Sequence, residues 1–354
     1  MTSNDTALDI LGDCEVAVLD DTVDLSDSRK FTKLSLTQGQ QIQISGLMSQ
    51  LPALAGVDAL SKTMTLTFPK GVQGVLMKLK IGGYSTVLQN SETGRIVGTT
   101  SMNFAAPQAA ALGAFTAISI ASGQYFLAQI NNSLTQISSG LDKILEFLYG
   151  DKRAELLSEV SFIRFAYKNY TSVMEHSEQR IATLISLQNA KKVAMKDIEF
   201  YLSDLSSTMT DKKSGDIPSI VHKMTRTKDC LDLSLQLYTM SSLLEVYYSE
   251  NYDRNYISSV QSEAAGYIDR CEKRSLKCFG QLQHTLVEAK EGIFAKIDKA
   301  DKAGYIQQID AIVIELEEAA DSPLQTTLRM TLDEIEKEKK YYMTQDGVIY
   351  LETA

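Results

Sequence analysis

The spacing of apolar positions changes character twice along this chain. From residue 63 to about 103 apolar and polar side chains alternate in short runs; from residue 127 onward apolar residues recur every three or four positions. The run Thr63-Met64-Thr65-Leu66-Thr67-Phe68 has the alternation of a half-buried strand. Similar runs follow at Val75–Leu79, Ser85–Gln89 and Arg95–Thr99, separated by turn-forming Pro69-Lys70-Gly71, Gly82-Gly83 and Asn90–Gly94. They predict a small antiparallel sheet of three or four strands, which needs further packing to be stable. Just before it, Gly46, Pro52 and Gly56 limit any helix in residues 31–60 to a short one.

The helical pattern begins with Leu127, Ile130, Leu134, Ile137, Leu141, Ile144 and Leu148, spaced by threes and fours without exception. That is a heptad seam, the spacing that keeps one stripe against a partner helix. A second series takes in Val160, Ile163, Tyr167, Tyr170, Met174, Ser177, Ile181, Leu184, Gln188, Lys191, Met195, Ile198, Leu202, Leu205 and Met209. It predicts one helix from about 151 to 211, roughly 90 Å long at 1.5 Å per residue. Further seams run through Leu233–Tyr247, Ile257–Tyr267, Phe279–Ile293 and Tyr305–Leu316. Breaks are expected at 211–216, in the Tyr-rich stretch 246–256 and at 301–304. Ser322-Pro323 signals a restart, leading into a charged helix LDEIEKEKKYYM, and Val348–Leu351 reads as a strand able to join the early sheet. No proline falls between Pro107 and Pro218 or between Pro218 and Pro323, as long helices require. The expected fold is therefore mainly α: an elongated antiparallel helical bundle or coiled coil with a small N-terminal β element of α+β character. The chain divides into an acidic flexible arm (1–30), a small β-rich element (31–103) and a long-helix bundle (104–354).

Charge changes this picture in one place. The 46 residues between Arg95 and Asp142 include no Asp, Glu, Lys, Arg or His, in a chain that is 23% charged. At the heart of the gap, Phe104–Ile130, the side chains Phe104, Leu112, Phe115, Ile118, Ile120, Phe126 and Leu127 are candidate contacts to a membrane or a partner. Gly113, Ala117 and Ala121 lie four apart and form a small-residue ridge that favours close helix packing. Ile130, Leu134, Ile137, Leu141, Ile144 and Leu148 continue it as the coiled-coil seam. The segment is long enough to span a bilayer, but its many Ala, Ser, Thr and Gly residues make it a borderline span. A helix buried on all sides within the bundle has the same pattern. Upstream, Lys62, Lys70, Lys78, Lys80 and Arg95 face only Glu92 in residues 61–100, a local excess of positive charge. These side chains either meet anionic lipid headgroups or solvate the outer face of the sheet.

The remaining composition narrows the function classes. A net charge of −10 argues against generic nucleic-acid binding. Cys14, Cys230, Cys271 and Cys278 provide no disulfide framework in so long a chain. Residues 1–28 carry eight acidic and no basic side chains, unlike a secretory signal, so the expected compartment is the cytoplasm, with membrane association through 104–130. No phosphate loop, dinucleotide fingerprint, zinc-protease motif or nucleophile elbow is present, and Gly71-Val72-Gln73-Gly74 reads as a turn. His176, His222 and His284 fall on different predicted helices. No catalytic group, cofactor or metal is expected. The leading expectation is a non-enzymatic helical interaction protein, which self-associates or binds a helical partner through its seams and uses the uncharged helix on a membrane or partner. A long amphipathic bundle carrying one conditionally exposed apolar segment also resembles the layout of α-helical pore-forming toxins. That layout implies a membrane-perforating effector as the alternative, with an enzyme whose site only folding assembles as a third class.

Overall fold

The computed structural model describes residues 15–18, 24–44, 64–68, 77–78, 84–89, 96–102, 117–118, 120–125, 127–128, 131–145, 151–210, 216–251, 253–289, 299–317, 322–336, 339–344 and 348–353. In chain order these form β1 (Glu15–Val18), β2 (Phe31–Lys33), α1 (38–44), β3 (Met64–Phe68), β4 (Met77–Lys78), β5 (Tyr84–Gln89) and β6 (Ile96–Met102). Then come α2 (117–118, 120–125 and 127–128), α3 (Asn131–Ile144), α4 (Asp151–Lys168), α5 (Tyr170–Met174), α6 (Ser177–Thr210), α7 (Ile217–Ser249) and α8 (Arg254–Glu288). The chain closes with α9 (Lys299–Glu317), α10 (Pro323–Glu336), β7 (Lys339–Met343) and β8 (Ile349–Glu352). The fold is mainly α with a small β element.

Two units divide the chain: residues 1–128, 250–254 and 334–354 in the first, and 129–249 and 255–333 in the second. In the first unit, β4-β5-β6 form one antiparallel sheet, with an irregularity at Leu88/Gln89. The second sheet has the order β1-β3-β7-β8-β2 and is antiparallel throughout. It draws β1 from the acidic stretch expected as an arm, and it sets the chain's last two strands between β3 and β2. The charged helix expected at LDEIEKEKKYYM is corrected here. Helix α10 stops at Glu336 and Lys339–Met343 is strand β7. Burial overrides the helix propensity of the Lys/Glu run: Tyr341 and Tyr342 are 1% and 8% exposed, and Tyr342 meets Phe31 edge-on at 5.0 Å. Helix α1 opens with a reciprocal capping box, in which Gln40 N–H donates to Thr37 Oγ1 and Thr37 N–H to Gln40 Oε1.

In the second unit α6, α7 and α8 are 34, 33 and 35 residues long. At 1.5 Å per residue each runs for about 50 Å. Helices α6 and α7 are an antiparallel pair: Asp204 meets Lys223 and Thr227 near one end, and Gln188 and Lys191 meet Glu245 near the other. Helices α9 and α10 both run antiparallel to α8, through Gln283–Asp310, Glu272–Gln325 and Gln261–Asp333. The core lies around α7. Of its 33 residues 22 are buried, and every residue from 237 to 248 is among them. Its neighbours include α3 at Gly140–Leu233, α4 through the Tyr248 hydroxyl donating to the Ala166 carbonyl, α8 at Tyr238–Tyr267 and α9 at Lys228–Glu315.

Two helical expectations need correction. The single helix from 151 to 211 is broken at Asn169 and again at 175–176, giving α4, α5 and α6. The second break resets the phase. Ile181 and Ile185 are exposed at 55% and 54%, while Thr183, Leu187, Ala190, Ala194 and Ile198 turn inward. The break expected at 301–304 does not occur: Gly304 lies within α9. The turn in 246–256 is present, and Glu250 there has a φ of 51°, the left-handed conformation in which the chain leaves α7.

Candidate functional site

Among the predicted contacts of the uncharged stretch, Ile118, Ile120 and Leu127 are described, and all three are buried, at 1%, 3% and 0% exposure. Ala117 and Ala121 of the small-residue ridge are buried as well. Phe104, Leu112, Gly113, Phe115 and Phe126 lie outside the described residues. The seam residues Leu134, Ile137, Leu141 and Ile144 are buried within the chain; Ile130 and Leu148 fall outside the described residues. Lys78 lies in β4, and Lys62, Lys70, Lys80 and Arg95 are outside the described residues. Helix α2 is thus stored in protein, and a side chain of the C-terminal sheet reaches it. Ser122 Oγ stands 2.7 Å from the Ile118 carbonyl oxygen and 2.8 Å from the Tyr341 hydroxyl oxygen. A carbonyl only accepts, so the Ser122 proton goes to Ile118 and the Tyr341 hydroxyl donates to Ser122 Oγ.

The second unit holds polar groups that the sequence did not single out. Asp197 is buried and paired with Lys152, which also meets Glu155 at 2.8 Å. Glu245, on the central helix, is paired with Lys191 and accepts from Gln188 Nε2 at 3.0 Å. Lys228 is buried against Asp232 at 2.6 Å and Glu315 at 3.5 Å. Each of these buried charges has an opposite charge beside it, the arrangement that makes burial of an ion tolerable.

Where α6 ends and α7 begins there is an open cleft of ≈ 550 Å³ with Phe200, Asp204, His222, Lys223, Arg226 and Cys230 in its lining. The Lys223–Asp204 ion pair there, at 2.9 Å, is partly exposed. Tyr201 and Cys230 lie together in the lining. Burial, with nearby carboxylates adding to it, pushes the Cys230 thiol up to about 11, and burial likewise raises Tyr201. Cys271 is raised to about 11 by burial and then by the Glu199 carboxylate. Neither thiol is a ready nucleophile, because the thiolate is the reactive form and burial disfavours it. His222 lies edge-on to Tyr305 at 5.9 Å. Among the described residues no group of three or more His, Cys, Asp and Glu side chains is placed to hold a metal ion, and no helix is long and apolar enough to cross a membrane. Comparison with known protein families, with curated proteins and with solved structures finds no match.

The thiols give a direct check on this packing. At pH 8 Cys230 and Cys271 are expected to resist a soluble thiol reagent in the folded protein and to label fully in urea, as read by peptide mass mapping. Labelling of either at the rate of an open thiol contradicts the placement. Both groups bind their protons more tightly folded than unfolded, so their contribution to stability is complete below pH 9.0 and is lost as pH rises through about 11.

Proposed function

We propose that this chain is a non-enzymatic helical interaction protein that self-associates through the exposed side of its long helices. The observation that supports this is the pair Ile181 and Ile185, one turn apart on α6 and exposed at 55% and 54%. A single exposed Leu or Ile is unremarkable on a protein surface, but two at i and i+4 form the kind of anchor by which one helix face docks on another. Phe165 on α4 and Phe200 further along α6 are also more than half exposed, so the outer surface offers aromatic as well as aliphatic contacts. The test is light scattering during size-exclusion chromatography. The parent chain is expected to exceed the monomer mass and Ile181→Lys/Ile185→Lys to run as a monomer with unchanged circular dichroism. A parent that is monomeric at all concentrations, or a variant of unaltered mass, rejects the reading.

A second reading, a membrane-perforating effector, draws on a different observation. The described N-terminal half of α2 is buried across Ala117, Ile118, Ile120, Ala121 and Ser122, within a stretch that carries no charge. A helix that is apolar all round suits a protein core or a lipid phase equally. Dye release from vesicles separates perforation from simple association. The enzymatic class gains no support from the cleft, whose thiol and phenol are both held protonated.

A further inference from the structure

The five-stranded sheet is completed by the end of the chain. Strands β7 and β8 lie between β3 and β2, so the C-terminal hairpin is what joins the N-terminal strands into one sheet. That hairpin can separate by giving up its pairings with β3 and β2, while β1 stays paired with β3. Tyr341, at the middle of β7, pairs with Leu66 of β3 and is 1% exposed. Its hydroxyl is bonded to Ser122, which is 2% exposed in the uncharged helix α2. Strand and helix therefore share a buried contact between residues far apart in the chain.

The chemistry of α2 suits it to leave that contact for a lipid phase. It carries no Asp, Glu, Lys, Arg or His whose charge would have to be desolvated. The buried hydroxyl among its described residues, Ser122, directs its proton to the Ile118 carbonyl of the same helix. When Tyr341 departs, that donor is still satisfied, as an apolar medium demands. A polar protein groove would reward a second partner for Ser122; hydrocarbon requires none. The basic excess in residues 61–100 adds a preference for anionic headgroups.

We infer that the C-terminal hairpin β7–β8 is a latch whose withdrawal frees α2 to enter an anionic lipid surface through Ile118, Ile120 and Leu127. This rests on the membrane reading of the uncharged helix. The latch holds by strand pairing and by the Tyr341–Ser122 bond, so weakening either exposes α2 and pinning the strand prevents it.

The test uses the full chain carrying Cys14→Ser, Thr67→Cys and Lys340→Cys. The last two positions face each other in the β3–β7 register, so oxidation pins the hairpin. This form and its Tyr341→Phe derivative are compared, oxidised and reduced. Each is floated with phosphatidylserine–phosphatidylcholine vesicles, and amide exchange is followed through residues 117–125. Tyr341→Phe is expected to speed that exchange roughly fivefold, the effect of one hydrogen bond. Reduced Tyr341→Phe is expected to float with vesicles, and the oxidised protein to stay in solution. Equal flotation oxidised and reduced overturns the latch while leaving the membrane reading standing. Faster exchange with no flotation of any form overturns the lipid occupant and leaves the strand-to-helix clamp. Unchanged exchange in Tyr341→Phe overturns the clamp itself. The oxidised and reduced comparison is made on one folded protein, so it stands even where Tyr341→Phe impairs folding.

Discussion

Leu244→Asp is expected to abolish the cooperative unfolding transition of the helical unit, whereas Ile185→Asp leaves it within about 1 kcal/mol of the parent. Both substitutions place a carboxylate on a helix of more than thirty residues, and the surroundings differ completely. Leu244 is 0% exposed on α7, within the run of twelve residues that is covered on every side. Losing its side chain there costs about 3 kcal/mol, and a carboxylate with no partner adds several more. That total approaches the whole stability of an ordinary domain, about 5–15 kcal/mol. Ile185 is 54% exposed within the chain, and once Ile185→Asp has released the monomer the charge there meets water. Urea unfolding followed by circular dichroism reads both variants. Equal losses at the two positions would show that α7 is not the helix the others surround.

Lys191→Met tests the buried charge on that same helix. Its ammonium is paired with Glu245, whose side chain is 12% exposed. Removing one partner of a buried pair strands the other, which costs about 3–5 kcal/mol. The Gln188 amide still donates to Glu245 at 3.0 Å, so the expected loss is at the lower end, about 3 kcal/mol. The double variant Lys191→Met/Glu245→Leu removes the stranded charge along with its partner. It is expected to recover most of the loss, because apolar replacement of a buried pair is often neutral. A single variant within about 0.5 kcal/mol of the parent would place the pair in the class of exposed ion pairs.

Much of the β element was legible. Alternation located Met64–Phe68 residue for residue, the run at 85–89 is all but the first residue of β5, and 96–99 of the run expected at 95–99 open β6, which continues to Met102. Strict heptads likewise located Leu134, Ile137, Leu141 and Ile144 as an inward stripe. What escaped was the identity of the central helix. Residues 231–248 read LDLSLQLYTMSSLLEVYY, and counting Ser, Thr and Glu as polar leaves a one-sided stripe. The structure shows why that count misleads. Ser234, Thr239 and Ser242 each donate to the carbonyl four residues earlier, so their hydroxyls are satisfied inside the helix and cost little to bury. Glu245 finds its cation on α6, a pairing no local pattern announces. The α6 register was misjudged for a related reason: Ala190 and Ala194 carry little hydrophobicity, yet as small residues they line the buried side, while Ile181 and Ile185 point out. For the candidate site, the sequence marked α2 by its missing charge. Its contact with Tyr341 joins residues from opposite halves of the chain and leaves no local trace.

The sheet order also sets a timetable for synthesis. Phe31 pairs with Glu352 and Thr65 with Tyr342, so the first unit cannot close its sheet until the last strand has emerged. Helices α3 to α9, whose contacts such as Ala166–Tyr248 and Lys228–Glu315 all lie within residues made before β7, are free to assemble first. Throughout that interval α2 has been made but Tyr341 has not. A ribosome paused before residue 341 therefore carries a nascent chain whose uncharged helix lacks its clamp, the stage at which a chaperone has most to shield.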